Sequence, residues 1–271
     1  MKGITTTGDR RIADRITELL TAFRLSTAAT ELVPRITSDG HEDALPSFLE
    51  VMEQEQSDRK ERRVERLRRA SKLPPAKRFE SFDDSRLPRE LTRKLRDLVG
   101  GSFLDAAINV LAFGLPGTGK THAASALGHA LVEAGHPVYF TPTFRLVQNL
   151  LAAKRDLELP RALRKLDNFE LLILDDIGYV QQSADEVEVL FTLMAERYER
   201  KSMLITSNLV FSQWDRIFKN PMTTAAAVDR IVHHSVILEF DVPSYRVPKT
   251  TDAPNGATKK QRKKGRKVNA K

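Results

Sequence analysis

Residues 114–121 read Gly-Leu-Pro-Gly-Thr-Gly-Lys-Thr, and this stretch decides the fold. It follows an apolar run typical of a strand (residues 108–113) and precedes a pattern typical of a helix (residues 122–134). A glycine-rich loop in this setting directs backbone N–H groups and the positive end of a helix toward one anion. It predicts an ATP site in which Lys120 binds the β- and γ-phosphates and the Thr121 hydroxyl binds Mg²⁺. The loop residues predicted to contact the nucleotide are Gly114, Pro116, Gly117, Thr118, Gly119, Lys120 and Thr121.

Strand-type and helix-type patterns alternate along the rest of this region. Short apolar runs predict further strands at residues 136–141, 171–174, 202–206 and 236–240. Helical spacing of apolar residues predicts helices at residues 146–157, 160–168, 184–200 and 222–234. This alternation favours an α/β fold, a parallel sheet flanked by helices and joined by right-handed crossovers.

The N-terminal region carries helical patterns only, and Pro74-Pro75 ends the last of them. We therefore predict three parts: an all-helical domain over residues 1–75, an ATPase domain over residues 76–248, and a disordered basic tail over residues 249–271. The tail holds nine of the Lys and Arg residues and one Asp. The remainder of the chain is balanced in charge, so the net charge of +8 does not by itself indicate that the folded part binds nucleic acid.

Composition narrows the class of protein further. The chain has no cysteine, which excludes disulfides and thiolate metal sites and is compatible with a reducing cytoplasm. No run approaches the roughly 20 apolar residues that a membrane span needs, so we expect no membrane association.

A basic helix is predicted over residues 57–72, which contain eight basic and three acidic residues. One interpretation is a solvated helix held by ion pairs along its face. The other, which the density of arginines favours, is a face that binds the phosphates of DNA. On that interpretation the DNA-binding residues are Arg59, Lys60, Arg62, Arg63, Arg66 and Arg69.

Polar residues follow two of the predicted strands. Asp175 and Asp176 end the strand at 171–174, and Asn208 follows the strand at 202–206. In open α/β sheets, ligands bind at the carboxyl ends of the strands. We predict that Asp175 binds Mg²⁺, that Asp176 activates the attacking water and that Asn208 contacts the γ-phosphate or the water. The alternatives are a simple turn for the two acids and a turn or helix-cap role for Asn208.

Three further residues have ambiguous patterns. Arg230 lies in a predicted helix and can compensate charge on a transferred phosphoryl group, or it can form a surface ion pair. We expect His122 to pack or hydrogen-bond rather than catalyse, and we expect Trp214 to pack in the core.

Together these motifs resemble the IstB-like ATPases, the AAA+ helper proteins of bacterial insertion sequences and relatives of the DnaC helicase loader. The resemblance covers roughly residues 10–247 and includes Phe79, Phe82 and Asp83 upstream of the glycine loop. The motifs that carry it are Gly114–Thr121, Leu171–Asp176, Thr206–Asn208, residues 211–234 with Asp229-Arg230-Ile, and Ser244-Tyr245-Arg246.

The resemblance implies an AAA+ core that assembles head to tail, with ATP at each interface between subunits. In the family pattern Asn208 matches sensor 1, Arg230 the arginine finger acting in trans, and Arg246 the nucleotide-binding sensor 2. It also implies an ATPase that binds duplex DNA with little sequence preference, forms homo-oligomers, and recruits and stimulates a cognate transposase in the bacterial cytoplasm.

Two features depart from that pattern. Asp176 stands where AAA+ ATPases often carry Glu, so we expect slow, DNA-stimulated hydrolysis. Little chain follows residue 240 before the tail, which implies a very short lid and leaves the reach of Arg246 open. The alternatives are a DnaC-like replicative helicase loader and a DNA-architectural protein that hydrolyses ATP slowly or not at all.

Overall fold

Three helices form the N-terminal part of the chain in this computed structural model, which describes residues 7–179, 183–214 and 221–246. They are α1 (Thr7–Ala22), α2 (Ser26–Ser38) and α3 (Leu45–Ser71). The three pack around a small apolar cluster, so the predicted all-helical region is confirmed. The buried residues of the cluster are Ala13, Ile16, Leu20, Val33 and Leu45. The predicted tail, residues 249–271, lies outside the described residues.

Helix α3 belongs to two cores. Near its start, Phe48 and Met52 pack against the N-terminal cluster. Near its end, Val64 and Leu67 pack against the large core beside the sheet, which also contains Leu73. The arginine-rich part of α3 therefore lies on the ATPase region, and the domain boundary near residue 75 stays a prediction.

Five strands form one parallel sheet in the order β2-β3-β4-β1-β5. This confirms the predicted α/β fold, and each strand begins and ends within two residues of the predicted position. Because all strands are parallel, their carboxyl ends meet at one edge of the sheet. The strands are β1 (Asn109–Gly114), β2 (Val138–Pro142), β3 (Leu171–Asp175), β4 (Ser202–Ser207) and β5 (Ser235–Phe240).

Helices cover both faces of the sheet. Side chains along β1 alternate between the two faces of the sheet. Val110 and Ala112 point into the core on the face that α3 covers. Leu111 and Phe113 point into the core on the opposite face. Trp214 is buried in the second core, which confirms its predicted packing role. The helices are α4 (Arg89–Val99), α5 (Ser102–Asp105), α6 (Lys120–Glu133), α7 (Thr143–Arg155), α8 (Leu159–Leu166), α9 (Ala184–Arg197) and α10 (Pro221–Val232).

Candidate functional site

The glycine loop joins β1 to α6, and the side chain of Lys120 folds back over the loop. Lys120 Nζ donates hydrogen bonds to the carbonyl oxygens of Gly114 at 2.7 Å and Leu115 at 2.8 Å. Burial lowers the pKa of Lys120, and the nearby carboxylates of Asp176 and Asp175 oppose that shift. Gly117 and Gly119 have φ angles of 84° and 95°, a region that favours glycine, so the loop conformation explains both residues.

Asp175, the last residue of β3, is held by hydroxyl groups from three other elements. Its Oδ1 accepts hydrogen bonds from Thr121 Oγ1 and Thr206 Oγ1, both at 2.8 Å. Its backbone carbonyl accepts a third from Thr143 Oγ1 at 3.0 Å. The structure therefore brings the two predicted Mg²⁺ ligands, Thr121 and Asp175, together. Sequence reasoning missed Thr206 and Thr143, although both lie at strand ends on this edge.

Asp176 and Asn208 present acceptor atoms without partners. Asp176 Oδ1 and Asn208 Oδ1 are both buried and, among the described residues, neither has a hydrogen-bond partner. The backbone of Asp176 is in the left-handed region at φ 60°, and its N–H donates to Thr206 Oγ1 at 2.8 Å. Burial raises the pKa of the Asp176 carboxyl; the charge of Asp175 adds to this, and Lys120 opposes it.

These residues fit a magnesium–nucleotide complex. The Thr121 hydroxyl and the Asp175 carboxylate are in contact, and the charge of the Asp176 carboxylate acts on both Asp175 and Lys120. Oxygen ligands of this kind are those that Mg²⁺ prefers. The lysine of the glycine loop supplies a buried cation beside them.

The segment Ser244-Tyr245-Arg246 covers one side of the loop. The backbone N–H of Tyr245 donates to the carbonyl oxygen of Gly117 at 2.8 Å. A β-carbon on Gly117 would overlap the Ser244 hydroxyl and would lie 3.5 Å from Arg246 Cδ. The charge of Arg246 also contributes to the lowered pKa of Lys120. The structure thus places Arg246 beside the glycine loop, and its contact with the nucleotide stays a prediction.

The segment before α4 covers another side. A β-carbon on Gly119 would lie 3.2 Å from Phe82 Cε2, and the Tyr245 hydroxyl donates to the Asp83 carbonyl oxygen at 2.7 Å. His122 Nε2 lies 3.0 Å from the Arg78 carbonyl oxygen, which confirms its hydrogen-bonding role. Tyr245 and Asp83 are 162 residues apart, so no sequence spacing signals their contact.

Arg230 contacts α9 and its own helix. Its guanidinium group lies 4.9 Å from the ring centroid of Phe191 on α9, and its Nη1 donates to the Ala226 carbonyl oxygen at 3.3 Å. Within the described residues, Asn208 and Arg230 share no hydrogen bond.

The predicted DNA-binding residues on α3 differ in their surroundings. Arg59 and Arg62 pair with Glu55 at 2.6 and 3.3 Å, and Arg69 pairs with Glu65 at 2.8 Å. The solvated, ion-paired interpretation therefore holds for part of this face. Five of the six predicted residues line one groove, whereas Lys60 does not. The five are Arg59, Arg62, Arg63, Arg66 and Arg69.

The sheet order, the glycine loop and the polar strand ends define a P-loop ATPase of the AAA+ class. Solved structures with the same fold include DnaI, with a TM-score of 0.53 and 18% identity over 62% of this chain and 95% of that chain. AMPPCP-bound DnaA from Aquifex aeolicus has a TM-score of 0.52 and 18% identity, covering 62% of this chain and 51% of that one.

The chain belongs to the family of IstB-like ATP-binding proteins, whose family model matches residues 18–253. A putative insertion sequence ATP-binding protein of Sinorhizobium fredii is 44% identical over 236 residues, covering 86% of this chain and 79% of the relative. The insertion sequence IS21 putative ATP-binding protein of Pseudomonas aeruginosa is 38% identical over 197 residues, covering 73% and 74%. Within the described residues, no helix combines the length and apolar character needed to cross a bilayer.

Proposed function

We propose that this protein is an ATP-dependent regulator of DNA transposition. It binds duplex DNA with little sequence preference, forms homo-oligomers on it, and recruits and stimulates a cognate transposase in the bacterial cytoplasm. The names of its relatives, insertion sequence ATP-binding proteins, support the biological setting. The described structure supports ATP-dependent DNA binding, because one chain carries both a phosphate-binding type of glycine loop and an arginine-lined helix.

One observation carries the proposal: the arginine-bearing helix α3 docks on α6, the helix that begins in the glycine loop. Arg63 on α3 donates to the Gly135 carbonyl oxygen just past α6 at 3.2 Å. Leu73 packs so closely on α6 that a β-carbon on Gly128 would lie 2.8 Å from its Cδ2. A movement of α6 on nucleotide binding would therefore move the surface on which DNA is proposed to lie.

In this proposal the nucleotide site divides its tasks among few residues. Lys120 and Arg246 bind phosphate oxygens, while Thr121 and Asp175 hold Mg²⁺, which neutralises the charge that develops on the phosphates. Asp176 orients the attacking water, and Asn208 contacts that water or the γ-phosphate. Arg230 serves the site of a neighbouring subunit, and its guanidinium group, which packs on Phe191 of α9, forms no ion pair among the described residues.

Hydrolysis is proposed to be slow and stimulated by DNA. Aspartate is one methylene shorter than the glutamate common at this position, so its carboxylate reaches less far toward the attacking water. A protein that binds ATP without hydrolysing it is the corresponding alternative. Measurement of phosphate release with and without duplex DNA separates the two.

The central test is assembly on DNA with and without ATP. In Lys120→Ala we expect loss of ATP-dependent assembly, because the charge-assisted contacts to phosphate are lost. Lys154→Ala is the control, since Lys154 forms surface ion pairs with Asp185 and Glu188 on the far side of the sheet. Sedimentation of the DNA complex is the measurement. Assembly of Lys120→Ala at the level of the parent contradicts the proposal.

A replicative helicase loader is the second candidate, because the sequence motifs place the chain in a family that resembles the DnaC helicase loader. Affinity capture with the full chain and ATP separates the candidates. Recovery of a transposase supports the transposition role. Recovery of the replicative helicase instead supports the loader.

A further inference from the structure

A groove of about 1090 Å³ lies between the turn that joins α1 to α2 and the exposed face of α3. Its lining contains six arginines and two glutamates. Five of the arginines are on α3, and the sixth, Arg24, comes from the turn. The arginine face of α3 is thus one wall of a groove whose other wall also carries a cation.

Ion pairing separates these arginines into two sets. Arg59, whose guanidinium group lies 4.1 Å from the ring centroid of Phe23, is already paired with Glu55. In contrast, Arg24 and Arg66 form no hydrogen bond or ion pair through their side chains within the described part of the chain. Among the described residues, the groove therefore holds two guanidinium groups, one from each wall, that form neither an ion pair nor a hydrogen bond. In the same part of the chain Arg63 has no ion pair either, but it donates to the Gly135 carbonyl oxygen.

The turn after α1 holds the backbone of Arg24 in one conformation. Arg24 lies two residues past the end of α1, in the left-handed region at φ 60°, and Leu25 N donates to the Leu20 carbonyl oxygen at 3.0 Å. Arg24 N donates to the Thr21 carbonyl oxygen at 2.9 Å, which completes the hydrogen-bond pattern of a Schellman motif. Glycine is the preferred residue there, because a β-carbon is strained in this region. The same conformation occurs after helices at Lys72 and Leu157, so it fixes where the Arg24 side chain leaves the turn and does not by itself indicate a ligand.

We propose that Arg24 and Arg66 bind backbone phosphates of duplex DNA across this groove. A guanidinium group offers parallel N–H donors that match phosphate oxygens. Contacts to phosphate position the DNA without reading its sequence, in keeping with binding that has little sequence preference. This inference rests on the proposed function, and it adds the α1–α2 turn to the surface that meets DNA.

The decisive variant is Arg24→Gly in the full chain, because it removes the guanidinium group and also relieves the backbone. We expect the melting temperature to stay the same or rise. The affinity for a fluorescent duplex of random sequence should fall about tenfold, the scale of one hydrogen-bonded charge contact. The slope of log K against log salt should flatten by about 1. Arg66→Ala should produce the same two binding effects, and Arg24→Lys should retain the slope.

Lys72→Gly is the matched control. Lys72 is also an exposed basic residue in the left-handed region, at φ 56° directly after α3, but it does not line the groove. We expect it to change DNA affinity less than twofold. If Lys72→Gly and Arg24→Gly lose equal DNA affinity, DNA does not bind in the groove and is attracted only diffusely by surface charge.

The remaining outcomes separate this inference from the proposed function. If Arg66→Ala weakens DNA binding and Arg24→Gly does not, the turn is not part of the surface, although DNA binding itself stands. If the parent chain does not bind the duplex, the proposed function fails. If polyglutamate binds the parent tightly and the duplex does not, the groove accepts an acidic polypeptide and the inference is wrong.

Discussion

Thr206 Oγ1 lies 2.8 Å from Asp175 Oδ1, and the same oxygen accepts a hydrogen bond from the Asp176 backbone N–H at 2.8 Å. One hydroxyl group on β4 therefore fixes both acidic residues at the end of β3. Because Thr206 is almost fully buried, no water can readily replace it. The positions of the two carboxylates depend on this contact between neighbouring strands.

Thr206→Val should lower the free energy of unfolding by about 1–3 kcal/mol, since it keeps the shape of the side chain but leaves the partly buried Asp176 N–H without an acceptor. Urea titration measures the change. Thr192→Val is the control: its hydroxyl donates to the Glu188 carbonyl oxygen on the exposed side of α9, and we expect a loss below about 0.5 kcal/mol. Equal losses in the two variants would contradict the role given to Thr206.

Asp176→Asn should stabilise the protein at neutral pH. Burial and the charge of Asp175 raise the pKa of Asp176 above the 3.8 of an unperturbed aspartate. The folded state therefore favours the protonated form, and this contribution to stability is complete below the unfolded pKa and is lost as pH rises through the folded pKa. Asparagine avoids the buried charge and also tolerates the left-handed backbone.

Thermal melts between about pH 4 and pH 7 test this expectation. The difference in melting temperature between Asp176→Asn and the parent should grow as pH rises. The exposed Asp156→Asn is the control and should show no such growth. A difference that is constant with pH would rule out the burial of charge as its cause.

Gly178→Ala should impair hydrolysis as strongly as Asn208→Ala. A β-carbon on Gly178 would overlap Asn208 Oδ1, so the amide must move, while the backbone of residue 178 lies outside the left-handed region and accepts alanine. We expect a loss of about 100-fold in kcat, as for removal of one oriented polar group, with nucleotide affinity retained. Phosphate release and nucleotide titration measure the two quantities.

Gly100→Ala is the control for that experiment, because a β-carbon there meets only the Asp97 carbonyl oxygen at 3.5 Å. It should leave hydrolysis unchanged. Full activity of Gly178→Ala would mean that Asn208 does not need its present position.

Tyr245→Phe should weaken nucleotide binding about fivefold. The variant removes the hydrogen bond from the Tyr245 hydroxyl to Asp83 and leaves the ring beside Gly119. A lost hydrogen bond of this kind corresponds to about 1 kcal/mol. Titration with a fluorescent nucleotide is the measurement. Tyr139→Phe is the control and should bind as the parent does; the Tyr139 ring packs tilted against Phe169, with the ring centroids 5.1 Å apart.

Removal of residues 249–271 should weaken DNA binding and flatten its salt dependence, because nine basic residues are lost. Filter binding at several salt concentrations tests this expectation. A glycine-serine segment of equal length in place of the tail controls for its bulk. An unchanged salt slope would assign the tail to another partner.

Local signals allowed most of the fold to be predicted. The apolar runs placed every strand within two residues, since a strand buried on both faces needs a continuous apolar sequence. The glycine pattern located the phosphate loop, and the polar residues after β3 and β4 indicated the edge of the sheet at which they meet. The short helix α5 was missed, because four residues carry too little periodicity to be recognised.

Contacts between distant segments could not be predicted in the same way. Nothing in the sequence around Thr206 shows that its hydroxyl meets both acidic residues, because that depends on the register of β3 and β4. Likewise, the density of arginines in α3 predicted a basic surface but not which of them are already paired with Glu55 and Glu65.

The sequence by itself determined the class of fold, the phosphate loop and the family, because each is written in residues close together along the chain. Only the tertiary structure decided that Tyr245 and Asp83 meet across the glycine loop, that α3 rests on α6, and that Arg24 joins Arg66 in one groove. The physical reason is that crossover connections and helix packing bring together residues whose separation along the chain carries no periodic signal.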